Sequence, residues 1–296
     1  MHPCRGSEGA GDPGTVGGVS RLRSLVTPHR DRPLLDRDNL LRVSAAAAGV
    51  VGLVQAGAAT VAVRTGRRDA ADVVWGPGLA AVAVSSALVG SGDPVRRWTL
   101  AGLTSAWATR LGRLIVQRVA GSDEEDPRYT EFLEGDPVPV VIGKVFLTQG
   151  LAQLLVSAPL QVAAATRLPD SARRWLFPAG VAVMAGGAVV EALADRQKAQ
   201  YQERDDEDKP DVLDTGLWAW SRHPNYFGDS CVWAGAWLAS AASPPAGLTA
   251  PAPIAMAYLL VYATGAKRTE KRMEKREAYR DYQRRVAFFL PRPPKS

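Results

Sequence analysis

Long stretches without charged residues alternate along this chain with short, strongly charged segments. A helix needs roughly 20 mostly apolar residues to cross the hydrocarbon core of a bilayer, and several stretches reach that length. Lipid cannot satisfy backbone polar groups, so each stretch is predicted to be a helix. The predicted spans are residues 43–63, 73–90, 98–117, 138–165 and 175–190, with two more inside residues 230–266.

The last stretch, residues 230–266, accommodates two spans because its 37 residues carry no charge. A turn at residues 243–247, which contains two prolines, is predicted to divide it. The chain is therefore predicted to be an all-α, polytopic membrane helical bundle with seven transmembrane helices. Residues 1–38, rich in Gly, Pro, Arg and Asp, are predicted to be a disordered tail before a membrane domain covering residues 39–296.

The distribution of charge orients the predicted bundle. The segment after residue 266 carries eleven Lys or Arg, so the positive-inside rule predicts a cytoplasmic C-terminus. Loops 64–72, 118–137 and 194–229 then share that face. The net charge of +6 is expected to interact with the lipid bilayer. Binding to nucleic acid is not expected, because no nucleic-acid-binding motif accompanies the charge. The two cysteines lie far apart, so neither a disulfide framework nor a metal site is predicted.

Ionisable residues inside predicted spans are candidate functional residues, because a charge within the bilayer is costly. Arg110 and Arg113 are three residues apart and share one helix face. Arg110 lies mid-helix and is predicted to contact an anion. Lys144 lies near the start of its span, and its ammonium is expected to extend to the membrane interface.

A second candidate is the segment EALADRQKAQYQ, which places Glu191, Asp195, Lys198 and Gln202 on one stripe of a helix leaving the membrane. Carboxylates one turn apart repel each other unless cations or ligand hydroxyls lie between them. Carboxylates bind ribose hydroxyls, and an ammonium binds phosphate. The stripe therefore predicts contact with a ligand.

The third candidate is WSRHPNYFGDS, which directly precedes the long uncharged stretch. Pro224 disfavours helix at the residue before it, and Asp229 suits the first turn of the helix that follows. Arg222 can donate two bonds to a phosphate, Asn225 can bind a carboxamide, and Tyr226 offers a stacking face. A dinucleotide phosphate fits this set, and a Rossmann domain is excluded because no GxGxxG motif precedes a helix and no strand is predicted.

Three segments together resemble a known family: LADRQKAQYQ, LDTGLWAWSRHPNYFGD and EKRMEKREAYRDYQRRVAFFLPRPP. They are similar to the DUF1295 group of bacterial membrane proteins. That group is related to steroid 5α-reductases and sterol reductases, and more distantly to isoprenylcysteine carboxyl methyltransferases. The resemblance covers residues 40–294. It implies a steroid reductase-like membrane fold in the bacterial inner membrane, with NADPH held between the cytoplasmic halves of the C-terminal helices.

The resemblance also implies roles for individual residues. Arg110 would reach a phosphate or the nicotinamide end of the cofactor, and Glu191 joins the cofactor set as part of the acidic stripe. The other residues assigned to the cofactor are Asp195, Lys198, Arg222, His223, Asn225, Tyr226, Asp229, Arg268, Glu270, Arg272 and Tyr282. Tyr226, His223 and Arg110 are the candidate catalytic proton donors, and the sequence leaves the choice among them open.

The predicted activity is NADPH-dependent reduction of an activated C=C bond in a lipophilic, steroid- or isoprenoid-like substrate. The steroid-reducing relatives polarise a ketone with a Gln–Glu pair and a Tyr. Here the first two spans offer only Gln55, and Trp107 occupies the aligned Tyr position. The cofactor half of the pattern is therefore kept, whereas the steroid-ketone half is not. The alternatives are an S-adenosylmethionine-dependent isoprenylcysteine-type methyltransferase and a non-enzymatic membrane protein that retains the fold.

Overall fold

The computed structural model describes residues 33–122, 124–205, 207, 209–263 and 265–295. Most of the predicted disordered tail, residues 1–32, lies outside this part of the chain. The rest of that tail is structured, because Asp36 caps a helix that begins at Arg37 by accepting a bond from the Asn39 backbone N–H at 2.9 Å.

The described residues form a helical fold without β-strands, with one isolated bridge between Leu35 and Thr166. The helices are α1 (Arg37–Thr65), α2 (Ala70–Val89), α3 (Pro94–Ala120), α4 (Pro127–Phe132), α5 (Val138–Val156), α6 (Ala158–Ala164), α7 (Leu176–Gln202), α8 (Pro224–Ser240), α9 (Pro251–Tyr258), α10 (Ala266–Met273) and α11 (Glu277–Arg285). Short helical segments complete the fold: Ala172–Trp175, Gly216–Ala219, Pro244–Gly247 and Leu259–Ala263, with a π-helical segment, Ile142–Leu147, inside α5.

Five helices of the described chain are long and apolar enough to cross a membrane, which indicates an integral membrane protein. They are α1, α2, α5, the continuous helix Ala172–Gln202 that contains α7, and Pro244–Met273, which contains α9 and α10. The predicted spans in α3 and α8 are not among the five. Helix α3 carries five arginines, and α8 has only 17 residues. The count of seven spans therefore stays a prediction.

Contacts between loops show that the long helices run alternately between two ends of the bundle. At one end, here called the Arg96 end, Asp36 N donates to Ala165 O at 3.1 Å and Gly92 N donates to Ala164 O at 2.7 Å. The opposite end, here called the Arg222 end, holds the loop after α1, the loop after α3, and the C-terminal segment. The loops that charge assigns to one face therefore do share one end; which side of the membrane that end faces stays a prediction.

The core lies where α3, α7 and α8 meet. Trp107 and Trp233 pack edge to face with ring centroids 5.4 Å apart, and both are almost fully buried. Helices α7 and α8 approach closely because glycines face each other at the crossing. A Cβ atom on Gly228 would lie 2.6 Å from the backbone N of Glu191, so only glycine fits there.

Arg96 holds the Arg96 end together. Its side chain is fully buried and donates to the carbonyls of Ala163 (2.9 Å), Thr166 (2.7 Å) and Ser240 (3.4 Å) and to the hydroxyl of Ser243 (2.7 Å). These acceptors belong to the end of α6 and to the turn after α8. One guanidinium from α3 therefore fixes two chain reversals.

We expect Arg96→Leu to lower the free energy of unfolding by about 3 kcal/mol, because several buried acceptors lose their donor. The measurement is thermal or denaturant unfolding in detergent micelles, with Arg42→Leu, an exposed position on α1, as the matched control. Equal unfolding midpoints for the two variants would contradict the structural role assigned to Arg96.

Candidate functional site

The candidate site begins with an ion-pair cluster between α3 and α7. Arg110 forms ion pairs with Glu191 and with Asp195, whose Oδ2 lies 2.7 Å from its Nη1. Trp107 Nε1 donates to Glu191 Oε2 at 2.9 Å. Helical geometry explains the arrangement, because Trp107 and Arg110 lie three residues apart on α3 and the two acids lie four apart on α7. The predicted acidic stripe and the predicted mid-helix arginine are thus brought together.

Helix α8 completes the cluster from a third direction. Asn225 Nδ2 donates to Asp195 Oδ1 at 3.1 Å, and Asn225 makes no other side-chain hydrogen bond with a described residue. Asp229 follows one turn later and is 4% exposed; its Oδ1 makes no hydrogen bond of ordinary geometry with the described residues, although the Trp233 indole lies close to the carboxylate. Three carboxylates therefore gather near one guanidinium, and a buried acceptor remains unpaired. Buried polar groups without a partner are uncommon in proteins and favour a ligand or water at that position.

Basic side chains from α3, α7 and α10 lie beside the cluster, toward the Arg222 end. Lys198 is exposed and makes no ion pair or hydrogen bond with any described residue. Asp195, Arg118 and Arg272 lie within electrostatic reach of it. Arg118 also pairs with Asp72 at 2.9 Å. Cations from three elements thus border the acidic cluster, an arrangement that suits a phosphate group.

Tyr226 lies in the first turn of α8, next to the cluster. Its ring stacks on His223, with centroids 5.8 Å apart and planes within 9° of parallel. The backbone of Gly265 also packs against the Tyr226 ring. A Cβ atom on Gly265 would lie 2.7 Å from Cε2 of that ring. The Tyr226 hydroxyl makes no hydrogen bond with the described residues, so it is available to a bound molecule.

Glu270 of α10 is the centre of a second cluster, here called the Glu270 cluster. Its carboxylate, although near the protein surface, is itself buried. Its hydrogen-bond partners are Arg222 Nε (3.0 Å), Arg222 Nη2 (2.8 Å), His223 Nε2 (2.9 Å), Tyr279 OH (2.7 Å) and Gln283 Nε2 (2.8 Å). Burial and the hydrogen bond to Glu270 raise the pKa of the Tyr279 hydroxyl, which therefore stays protonated and donating.

The Glu270 cluster occupies residues that the sequence assigned to direct cofactor contact. Arg222 gives its remaining donors to the carbonyls of Gln283 (2.9 Å) and Val286 (2.7 Å). Tyr282 donates to the carbonyl of Trp218 at 2.6 Å, and burial raises the pKa of its hydroxyl. These contacts fasten the C-terminal segment to the loop before α8. The structure shows Arg222, Glu270 and Tyr282 in hydrogen bonds within the chain. Their contribution to binding a cofactor stays a prediction.

Other predicted residues lie outside both clusters. Arg268 is exposed on α10 and makes no hydrogen bond or ion pair with the described residues, and Arg113 is exposed on α3. Gln55 is buried, and its Nε2 donates to Gln153 Oε1 at 2.9 Å. Gln153 in turn donates to backbone carbonyls of α2 beside Pro77. Gln55, the one strongly polar side chain in the first two predicted spans, is therefore bonded to α5 and not to the ion-pair cluster of Arg110.

The sequence did not predict the hydrogen bonds that Trp107, Tyr279 and Gln283 make to the carboxylates of the two clusters. Trp107 donates to Glu191, and its position three residues before Arg110 was the available signal. Tyr279 and Gln283 join Glu270 through spacings of nine and thirteen residues, across the break between α10 and α11. No local periodicity connects residues across such a break.

Comparison with known proteins gives one result. The DUF1295 family, described as a protein of unknown function, matches residues 59–286, which is more than three quarters of the chain. The chain belongs to the DUF1295 family. The DUF1295 match includes every residue of the two clusters. No curated protein and no solved structure matches the chain significantly.

We expect Glu270→Gln to loosen the C-terminal segment, because the amide loses the charge that Arg222 and His223 contact; the loss is on the order of 2 kcal/mol. Limited proteolysis in detergent measures it, as faster cleavage within residues 274–295. Glu274→Gln, an exposed Glu four residues later, is the matched control. Equal cleavage rates in both variants would show that the Glu270 cluster does not fasten this segment.

Proposed function

We propose that this protein is a membrane-embedded, NADPH-dependent reductase that acts on an activated C=C bond in a lipophilic, steroid- or isoprenoid-like substrate. The observation that carries the proposal is the position of Asp195, held between Arg110 and Asn225 on three different helices. A carboxylate fixed in this way, bordered by cations and a tyrosine, suits the ribose and phosphate groups of a dinucleotide.

The donor set fits NADPH part by part. Lys198 and Arg272 would hold phosphate, because both are exposed cations that make no ion pair or hydrogen bond with a described residue. Asp195 would accept from ribose hydroxyls, and the free carbonyl of Asn225 would accept from a carboxamide. Asp229 contributes a buried, unpaired acceptor oxygen at the inner end of the site. When bound, the reduced nicotinamide supplies a hydride to the substrate.

Tyr226 is the proton donor that the geometry favours. His223 Nε2 is engaged with Glu270, and the guanidinium of Arg110 is engaged with two carboxylates. The Tyr226 hydroxyl makes no hydrogen bond with the described residues, so it is free to donate to a bound substrate. The stacked His223 ring and the close backbone of Gly265 hold the phenol in place. The protein would thus orient the donor and exclude water from the transfer.

The proposal also orients the protein. NADPH is found in the cytoplasm, so the Arg222 end would face it, in agreement with the eleven basic residues that follow residue 266. We place the protein in the bacterial inner membrane with a cytoplasmic C-terminus. A lipophilic substrate would enter from the bilayer, between the helices.

We expect Lys198→Gln to weaken NADPH binding about tenfold or more, because a charge-assisted bond to phosphate is lost. Fluorescence titration of the purified protein in detergent measures the dissociation constant. Lys144→Gln, a cation paired with Asp136 away from the cluster, is the control and should bind as the unaltered protein does. Unchanged affinity in the Lys198 variant would remove this residue from the phosphate site.

The same titration with S-adenosylmethionine tests the methyltransferase alternative. Saturable binding of S-adenosylmethionine without NADPH binding would overturn the reductase proposal in favour of that enzyme. Binding of neither molecule would favour a non-enzymatic protein that retains the fold.

We expect Tyr226→Phe to reduce turnover by about 10²-fold or more while NADPH binding persists, since the ring stays and only the proton donor is lost. The measurement is NADPH oxidation with a panel of isoprenoid and steroid enones, run beside the binding titration. Turnover retained in this variant would exclude Tyr226 as the donor.

A further inference from the structure

A cavity of about 470 Å³ opens at the Arg222 end, on the C-terminal segment, and is here called the C-terminal cavity. Among its twelve lining residues, five are Arg or Lys and none is Asp or Glu. Its wall is backbone that folds back on the loop before α8: Ser221 Oγ donates to Phe289 O at 2.8 Å, and Arg292 N donates to Trp220 O at 2.9 Å. The cavity is therefore built by the fold rather than by a mobile chain end.

Two of the five cations in the C-terminal cavity have no acidic partner. Arg222 is neutralised by Glu270, Arg285 pairs with Asp214 at 3.1 Å, and Arg284 pairs with Asp281. The side chains of Arg292 and Lys295 make no ion pair or hydrogen bond with the described residues and are exposed. Lys267 adds a further positive charge nearby, with its ammonium 4.9 Å from the centre of the Phe288 ring. The cavity therefore presents an excess of positive charge.

Apolar side chains on and beside the cavity are exposed, as expected for a position at the depth of lipid headgroups. Trp220 is 48% exposed and Leu290, which lines the cavity, is 56% exposed. Arg222, another lining residue, lies two residues before α8, and the long apolar helix Pro244–Met273 ends at the same end of the bundle. Exposed Trp beside Lys and Arg at the end of a spanning helix is the pattern of a membrane–water interface.

We propose that the C-terminal cavity binds the headgroup of an anionic phospholipid. The phosphodiester would accept hydrogen bonds from Arg292 and Lys295, and Leu290 and Trp220 would contact the glycerol and upper acyl region. Positively charged residues next to a membrane attract anionic lipids, and the effect adds up over neighbouring Lys and Arg. The bound phospholipid would also contact Arg222, which bonds to Glu270. Lipid binding should therefore stabilise the Glu270 cluster.

The test uses the purified full chain in nanodiscs of phosphatidylcholine alone or of phosphatidylcholine mixed with phosphatidylglycerol. We expect phosphatidylglycerol to raise the midpoint of thermal unfolding by about 2–4 °C. The double variant Arg292→Gln with Lys295→Gln should lose most of that shift. The double variant Lys271→Gln with Lys275→Gln removes equal charge from exposed positions outside the cavity and should keep it. The readout is independent of NADPH and of turnover.

Three outcomes would overturn the inference. The first is equal stability in the two nanodisc types. The second is a shift that both double variants lose equally, which would indicate a diffuse attraction to the charged surface. The third is the same shift in phosphatidylcholine nanodiscs with added inorganic phosphate, which would indicate a site for a soluble anion. Retention of phosphatidylglycerol after delipidation by the unaltered protein, and its loss from the Arg292 and Lys295 variant, would support it.

Discussion

A guanidinium held between two carboxylates inside the helical bundle sets the arrangement on which the rest of the candidate site depends. Arg110 can contact Glu191 and Asp195 together only when α3 and α7 run side by side in one register. Removing one partner of such a buried pair leaves an uncompensated charge, which costs about 3–5 kcal/mol. The ion pairs therefore act as a constraint on register, and Asn225 extends that constraint to α8.

Close helix packing beside the site and buried polar contacts at the opposite end of the bundle maintain this register. Gly228 lets α8 approach the backbone of α7 beside Glu191, so the acid and Asn225 lie within one layer of the bundle. Far from the site, Arg96 fixes the chain reversals that return α6 and α8 to their neighbours. The site is thus positioned by contacts at its own level and by contacts at the opposite end. Small side chains and satisfied polar groups are the usual means of association in membranes, where apolar burial gives little preference for one neighbour.

Much of this arrangement follows from the sequence. The helices follow from charge-free stretches, and the meeting of Arg110 with the acidic stripe follows from helical spacing on two separate segments. The DUF1295 resemblance is confirmed, and the role of Asn225 toward a cofactor stays a prediction. The partners of Arg222 could not be foreseen, because Glu270 is 48 residues away and its approach depends on how α10 folds back. The pairing of Gln55 with Gln153, 98 residues apart, is equally non-local. The sequence assigns the cap at Asp36 to the tail, because Asp36 lies inside a segment with disorder-type composition.

The contacts of the C-terminal segment bear on how the protein is made. The loop before α8 receives its partners from residues 270–292, most of which leave the ribosome after the five long apolar helices of the described chain. A nascent chain can therefore insert its apolar helices while the first turn of α8 still lacks the contacts that hold His223 in place. The contacts around the first turn of α8 therefore form only after residues 270–292 have been synthesised. A product cut short after α9 would be a membrane protein with an unfinished site.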